Sequence, residues 1–194
     1  VQRTCPIDGS RFQYQPPPAL TSRETYLDQR PVDPNAPWPH AKCPGNGFVL
    51  YKSNFPENEI AKLREFVLSD RYRSMTEIHS TRYLEAALRK HLGEFPYAVA
   101  WSLAQATWEV SSDPVRYKGY AEEALATYDG IKLEALPDIR HRILKRMLSA
   151  EFARRLGLFD SAKERLLEMR DDGEFSTKFL QRIIDFQLKL VRAK

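Results

Sequence analysis

From Ser53 onward, apolar residues recur at spacings of three and four between short polar, proline- or glycine-marked breaks. That period predicts about seven helices. Asn54-Phe55-Pro56-Glu57 reads as the first start, with Asn54 as cap and proline in the first turn; Ile60, Leu63, Phe66 and Val67 follow as its apolar stripe. Tyr83, Leu84, Ala87, Leu88, His91 and Leu92 form a second stripe. Pro96 opens the third helix, in which Val99, Leu103, Ala106 and Val110 line up with Trp101 and Trp108 on the flanks. Asp113-Pro114 starts the fourth, which stops at Asp129-Gly130, and Pro137-Asp138 starts the fifth, which stops at Leu156-Gly157. The sixth runs from Asp160 to Asp172-Gly173. Ser176 starts the seventh, with Phe179, Leu180, Ile183, Ile184, Leu188 and Val191 facing inward. Short connectors between such helices predict an antiparallel bundle or a helical-repeat stack, spanning residues 53–194.

Residues 1–52 lack that period. Pro16-Pro17-Pro18 and the run Pro31, Pro34, Pro37, Trp38, Pro39 fix φ and remove backbone donors, which disfavours helix and central strand alike. One short loop occurs twice here: Cys5-Pro6-Ile7-Asp8-Gly9 and Cys43-Pro44-Gly45-Asn46-Gly47. The first leads into Phe12-Gln13-Tyr14 and the second into Phe48-Val49-Leu50-Tyr51, both readable as strands. Cys-Pro-x-x-Gly before a strand is how a zinc ribbon builds each of its two knuckles, where a second cysteine three residues on completes the metal pair. Asp8 and Asn46 stand where those second cysteines belong, and Asp or Asn before Gly is ordinary turn chemistry. The expectation is a small zinc-ribbon-like β-module without its metal, its core covered by Tyr26, Leu27, Asp28 and Trp38. A module of this size needs a staple or a neighbour to be stable.

The junction Leu156-Gly157-Leu158-Phe159-Asp160-Ser161-Ala162-Lys163-Glu164-Arg165-Leu166 resembles the middle of a tetratricopeptide repeat. Gly157 permits the turn, Phe159 fills the gap between helices, Ala162 allows close approach and Leu166 packs beyond it. Ala121, Ala124 and Tyr128 echo the same motif more weakly. Paired Cys-Pro knuckles followed by tetratricopeptide-like helices resemble an uncharacterised bacterial family catalogued as a domain of unknown function. Its knuckles read Cys-Pro-x-Cys-Gly, of which Cys5 with Gly9 and Cys43 with Gly47 match here. The resemblance implies a mainly α fold and brings no established activity.

If the knuckles face each other as in a zinc ribbon, Cys5 and Cys43 lie where ligands to one metal would, close enough for a disulfide. Closing that loop would stabilise the module by roughly 4 kcal/mol in the chain-entropy model. An oxidising compartment such as the periplasm is then implied, with the cytoplasm as the alternative. Two reduced, packed thiols remain open as a reading, and so does zinc on a set of Cys5, Asp8, His40 and Cys43. The chain begins at Val1 without methionine, which fits a cleaved secretory leader or a trimmed boundary.

A net charge of +4 at pH 7 is too mild to mark a nucleic-acid binder. No apolar run reaches the length of a membrane span. Arg140, Arg142, Lys145, Arg146, Arg154 and Arg155 make the fifth helix basic, but Ile139, Ile143, Met147 and Leu148 give it an apolar face, so the arginines read as its wet side. Glu122-Glu123 and Asp171-Asp172 read as solvated helix surface. His40, His79, His91 and His141 sit beside no nucleophile motif, and no phosphate-binding glycine loop is present. The expectation is a non-enzymatic scaffold that binds a protein partner, an accessory of an envelope or secretion assembly if exported. Trp101, Trp108, Tyr117 and Tyr120 are the candidate contacts, each also readable as core. The alternatives are a nucleic-acid-binding zinc-ribbon relative and a hydrolase using Asp8 or His40.

Overall fold

The computed structural model describes residues 1–19, 21–33 and 36–192. Two short strands, β1 (Gln2–Thr4) and β2 (Arg11–Gln13), pair antiparallel with Arg3 opposite Phe12. The helices follow: α1 (Glu57–Leu68), α2 (Asp70–Ile78), α3 (Thr81–Leu92), α4 (Pro96–Glu109), α5 (Pro114–Asp129), α6 (Ile139–Arg155), α7 (Phe159–Arg170) and α8 (Lys178–Arg192). Single 3-10 turns sit at Leu133–Ala135 and Gly173–Phe175. From α3 to α8, each helix packs mainly on its sequence neighbours.

Local chemistry explains most boundaries. The Asp113 carboxylate accepts from the Val115 and Arg116 amides and starts α5; that of Asp138 accepts from His141 N at 2.9 Å and starts α6. Gly157, at φ +78°, reverses the chain between α6 and α7. Where the expectation fails, a different cap has won. Asn54 caps nothing: α1 begins after Pro56, whose carbonyl accepts from Glu59 and Ile60 at 3.0 Å. Between the first and second predicted stripes lies a helix that the periodicity does not mark: Ser69 adopts an extended conformation and its hydroxyl accepts from Tyr72 N, opening α2. At the last helix Thr177, not Ser176, supplies the capping oxygen, to Leu180 N at 3.3 Å. Of the residues expected to face inward, Ile184, Leu188 and Val191 are buried and Leu180 and Ile183 pack against the core, while Phe179 turns outward, 71% exposed, and Gln187 is buried with the others. Ile139, expected on the apolar face of α6, is likewise exposed.

Two cores divide the chain. The larger joins α3 to α8, with Ala100, Ala104, Ala121, Ala124, Ala150, Ala153 and Ala162 wholly buried between helices that approach closely around Tyr128, Phe152 and Phe175. The smaller gathers Cys5, Ile7, Cys43, Phe48 and Val49 against Leu63, Val67 and Tyr72 of α1 and α2 and Leu84 and Leu88 of α3. The amino-terminal turns therefore share their core with three helices, which answers their need for a neighbour.

Candidate partner-binding groove

The two Cys-Pro loops fold as the same turn. Cys5 N donates to Ser10 O at 2.8 Å and Gly9 N to Cys5 O at 2.9 Å; Cys43 N donates to Phe48 O at 2.8 Å and Gly47 N to Cys43 O at 2.9 Å. The turns face each other, placing Cys5 and Cys43 at disulfide distance with their Cα atoms 5.7 Å apart, inside the usual range. Asn46 and Asp8 also meet across the interface: Asn46 Nδ2 donates to Asp8 Oδ2 at 2.8 Å and lies 3.4 Å from Cys5 Sγ. Both keep their turn roles, Asp8 accepting from Ser10 N and Asn46 from Phe48 N at 2.9 Å. After the second turn there is no strand, only a lone bridge between Lys42 and Val49. His40 does not join Cys5, Asp8 and Cys43, and among the described residues no three metal-ligating side chains cluster.

Between the two turns the chain makes a long excursion, the strap. It reverses at Tyr26–Arg30, where Tyr26 N donates to Arg30 O and Val32 N to Glu24 O at 2.8 Å, and Gln29 takes a positive φ of 65°. Asp33 steadies the outward limb, accepting from Thr21 Oγ1 at 2.6 Å. Pro34 lies outside the described residues. Rather than covering the amino-terminal core, the strap lies along the helices: Trp38 and Pro37 face Gln105 and Trp108 of α4, while Asp28 reaches Arg155 of α6. Tyr26 and Leu27 line a cleft with Glu151, Arg154 and Phe186.

The return limb is pinned at His40. Its backbone N donates to Thr81 Oγ1 at 2.9 Å, and its ring Nε2 meets Glu85 Oε2 at 2.6 Å. Glu85, only 3% exposed, is also paired with Arg82 at 3.2 Å and Arg89 at 2.9 Å. Burial pushes its pKa up, but the hydrogen bond and charge of His40 together with Arg82 and Arg89 prevail and hold it down to about 2. Arg89 extends the cluster to Glu94 and lies over the Tyr51 ring. Glu109 accepts from Thr81 Oγ1 at 2.7 Å and Arg82 N at 2.8 Å, tying the end of α4 to the start of α3.

At the strap's tip, Asp28 is 1% exposed and Glu151 wholly buried. Arg155 meets Asp28 at 3.1 Å, Glu151 at 2.6 Å and donates to the Tyr117 hydroxyl at 3.2 Å, while Arg154 grips Glu151 with two bonds of 2.8 Å. Four arginines of α6, Arg142, Arg146, Arg154 and Arg155, are thus held in ion pairs, while Arg140 is exposed. Arg142 pairs with Glu174 at 2.7 Å and Arg146 with Asp172 at 2.5 Å, so Asp172 is an ion-pair partner rather than solvated surface. Glu123 accepts from the Tyr83 hydroxyl at 2.8 Å, whereas Glu122 and Asp171 are exposed, as expected.

The four expected contact residues separate. Trp108, 7% exposed, lies under the strap with its ring edge-on to that of Trp101 at 5.6 Å. Tyr117 is half-buried beside Arg155. Tyr120 is buried away from them, stacked on Tyr83 and bonded to His79 Nδ1 at 2.9 Å. Sequence reading missed Glu85, Glu151 and the reach of Asp28: an acid reads as surface in the sequence, and the His40–Glu85 and Asp28–Arg155 contacts that bring the strap to the helices join residues far apart in the chain.

Comparison with family models, with curated proteins and with solved structures returns no match to this chain. Among the described residues no helix is long and apolar enough to cross a membrane.

Proposed function

We propose that the protein is a non-enzymatic scaffold whose tetratricopeptide-like helical face binds an extended segment of a protein partner. The observation that carries this reading is the strap. A proline-rich, extended stretch of the chain already lies on α3, α4 and α6, held at one end by His40–Glu85 and at the other by Asp28–Arg155. A face that holds such a segment in cis has the aromatic contacts and charged clamps to hold one in trans. The opposed Cys-Pro turns support descent from a zinc ribbon in which one disulfide and one Asp8–Asn46 hydrogen bond take the place of the four ligands. A Cys5–Cys43 bridge favours an exported, periplasmic setting over the cytoplasm.

Incorporation of a photo-crosslinking amino acid at Tyr117, beside the cleft, and separately at Lys163 on the outer helix α7, tests the reading in native cells. Discrete adducts from position 117 and none from 163 are the expected result. Equal yields from both, or none from either, would contradict it.

A further inference from the structure

Trp108 is the wall between two cavities. The larger, about 430 Å³, lies between the strap tip and the ends of α4 and α6, with Pro114 and Tyr117 across from the indole. Arg30 and Trp108 both line this cleft, and among the described residues the buried Nε–H of Arg30 and indole N–H of Trp108 have no acceptor. Buried donors as strong as these are normally bonded. The Arg30 guanidinium stacks 4.6 Å from the centre of the Tyr26 ring, and among the described residues it has no ion-pair partner. Arg155 faces the same space, its own charge shared with Asp28 and Glu151. Asp28 does not oppose an incoming anion strongly: Arg155 neutralises it and Arg30 N donates to it at 3.2 Å.

We propose that this cleft is a carboxylate site: it takes an aspartate or glutamate side chain of the partner segment, which accepts from Arg30 Nε and Trp108 Nε1 while its stem packs on Pro114 and the indole. Charge-assisted bonds to an arginine fork and an aromatic N–H are the chemistry that selects a carboxylate over its neutral amide. The smaller cavity on the other side of Trp108 is walled by prolines and Trp38 and carries no second orphan donor, so the acceptor belongs on the Arg30 side. The proposal names the partner's chemistry and rests on the groove reading above.

The test is an NMR titration of ¹⁵N-labelled full chain, following the Trp108 indole cross-peak assigned by its loss in Trp108→Phe. The probes are end-blocked Ala-Glu-Ala, its Ala-Gln-Ala counterpart, and phenylacetate as a small free carboxylate. A saturable downfield indole shift with Ala-Glu-Ala but not Ala-Gln-Ala, weakened about tenfold or more in Arg30→Gln, is the expected result. Arg30→Gln removes no ion pair among the described residues, and an unchanged unfolding midpoint would show that the fold is intact. No saturable shift with the glutamate peptide, an equal shift with the glutamine peptide, or an unaltered affinity in Arg30→Gln would each overturn the site. A response to phenylacetate alone would also overturn it, assigning the cleft to a small-molecule acid. Crosslinks at Tyr117 without an indole response would sink only the carboxylate site. An indole response without crosslinks would sink the groove reading and leave the site standing.

Discussion

Glu85 sits where water hardly reaches, yet Arg82 and Arg89 of α3 and the His40 ring of the strap converge on it. Its pKa of about 2 lies below the ordinary 4.5, so the folded state binds fewer protons than the unfolded one across that interval. The stabilisation is therefore complete above about pH 4.5 and lost as the pH falls toward 2, and the shift corresponds to about 3 kcal/mol. Glu85→Gln is expected to lower stability at pH 7 by about that amount and to flatten the pH dependence in this window, read by denaturant melts at a series of pH values. Gly47 offers a steric test. At φ +72°, a Cβ would come within 2.5 Å of Thr76 Cγ2, whereas at Gly157, φ +78°, an added Cβ meets nothing within 4 Å. Gly157→Ala should cost about 1 kcal/mol of backbone strain, and Gly47→Ala about 2 kcal/mol more from the clash. Equal losses in the two variants would show that the turn does not pack on α2 as described.

At the scale of elements, what could be read from the sequence was whatever is settled within a few residues. Asp113 and Asp138 announced their helices because a carboxylate can bond only the amides just ahead of it. The twin Cys-Pro turns announced themselves because glycine at positive φ and an Asx turn are local. Ser69 did not, since nothing nearby distinguishes a serine that caps from one that rides a helix surface. The phase of α8 was ambiguous for another reason: Phe179, Ile183, Phe186 and Leu190 form one apolar row and Leu180, Ile184, Leu188 and Val191 another. Only the packing against α7 decides which row is buried. Ile184→Ala should then cost about 2 to 4 kcal/mol, while Phe179→Ser should leave the unfolding midpoint nearly unchanged. The pairings that define the candidate site were illegible, because Asp28 with Arg155 and His40 with Glu85 join residues far apart in the chain.

Taken as a whole, the molecule is a helical array with its own proline-rich strap laid across one face, and the strap leaves and returns through the two Cys-Pro turns. A covalent link between those turns closes the loop that contains the whole strap. It limits the unfolded chain by roughly 4 kcal/mol in the entropic picture and keeps Asp28 and His40 within reach of their helices. Reduction should therefore lower the unfolding midpoint of the full chain and speed hydrogen exchange at Tyr26 and Val32, whose amides hold the strap's turn, more than in α6. The strap's covalent tether and the proposed exported setting both depend on that link. The decisive measurement is the intact mass of the protein, taken unreduced from its native cells, denatured and alkylated. The account predicts no added alkyl group until reductant is present, and two thereafter. Two groups added without reductant would show free or metal-held thiols at Cys5 and Cys43 and would contradict it.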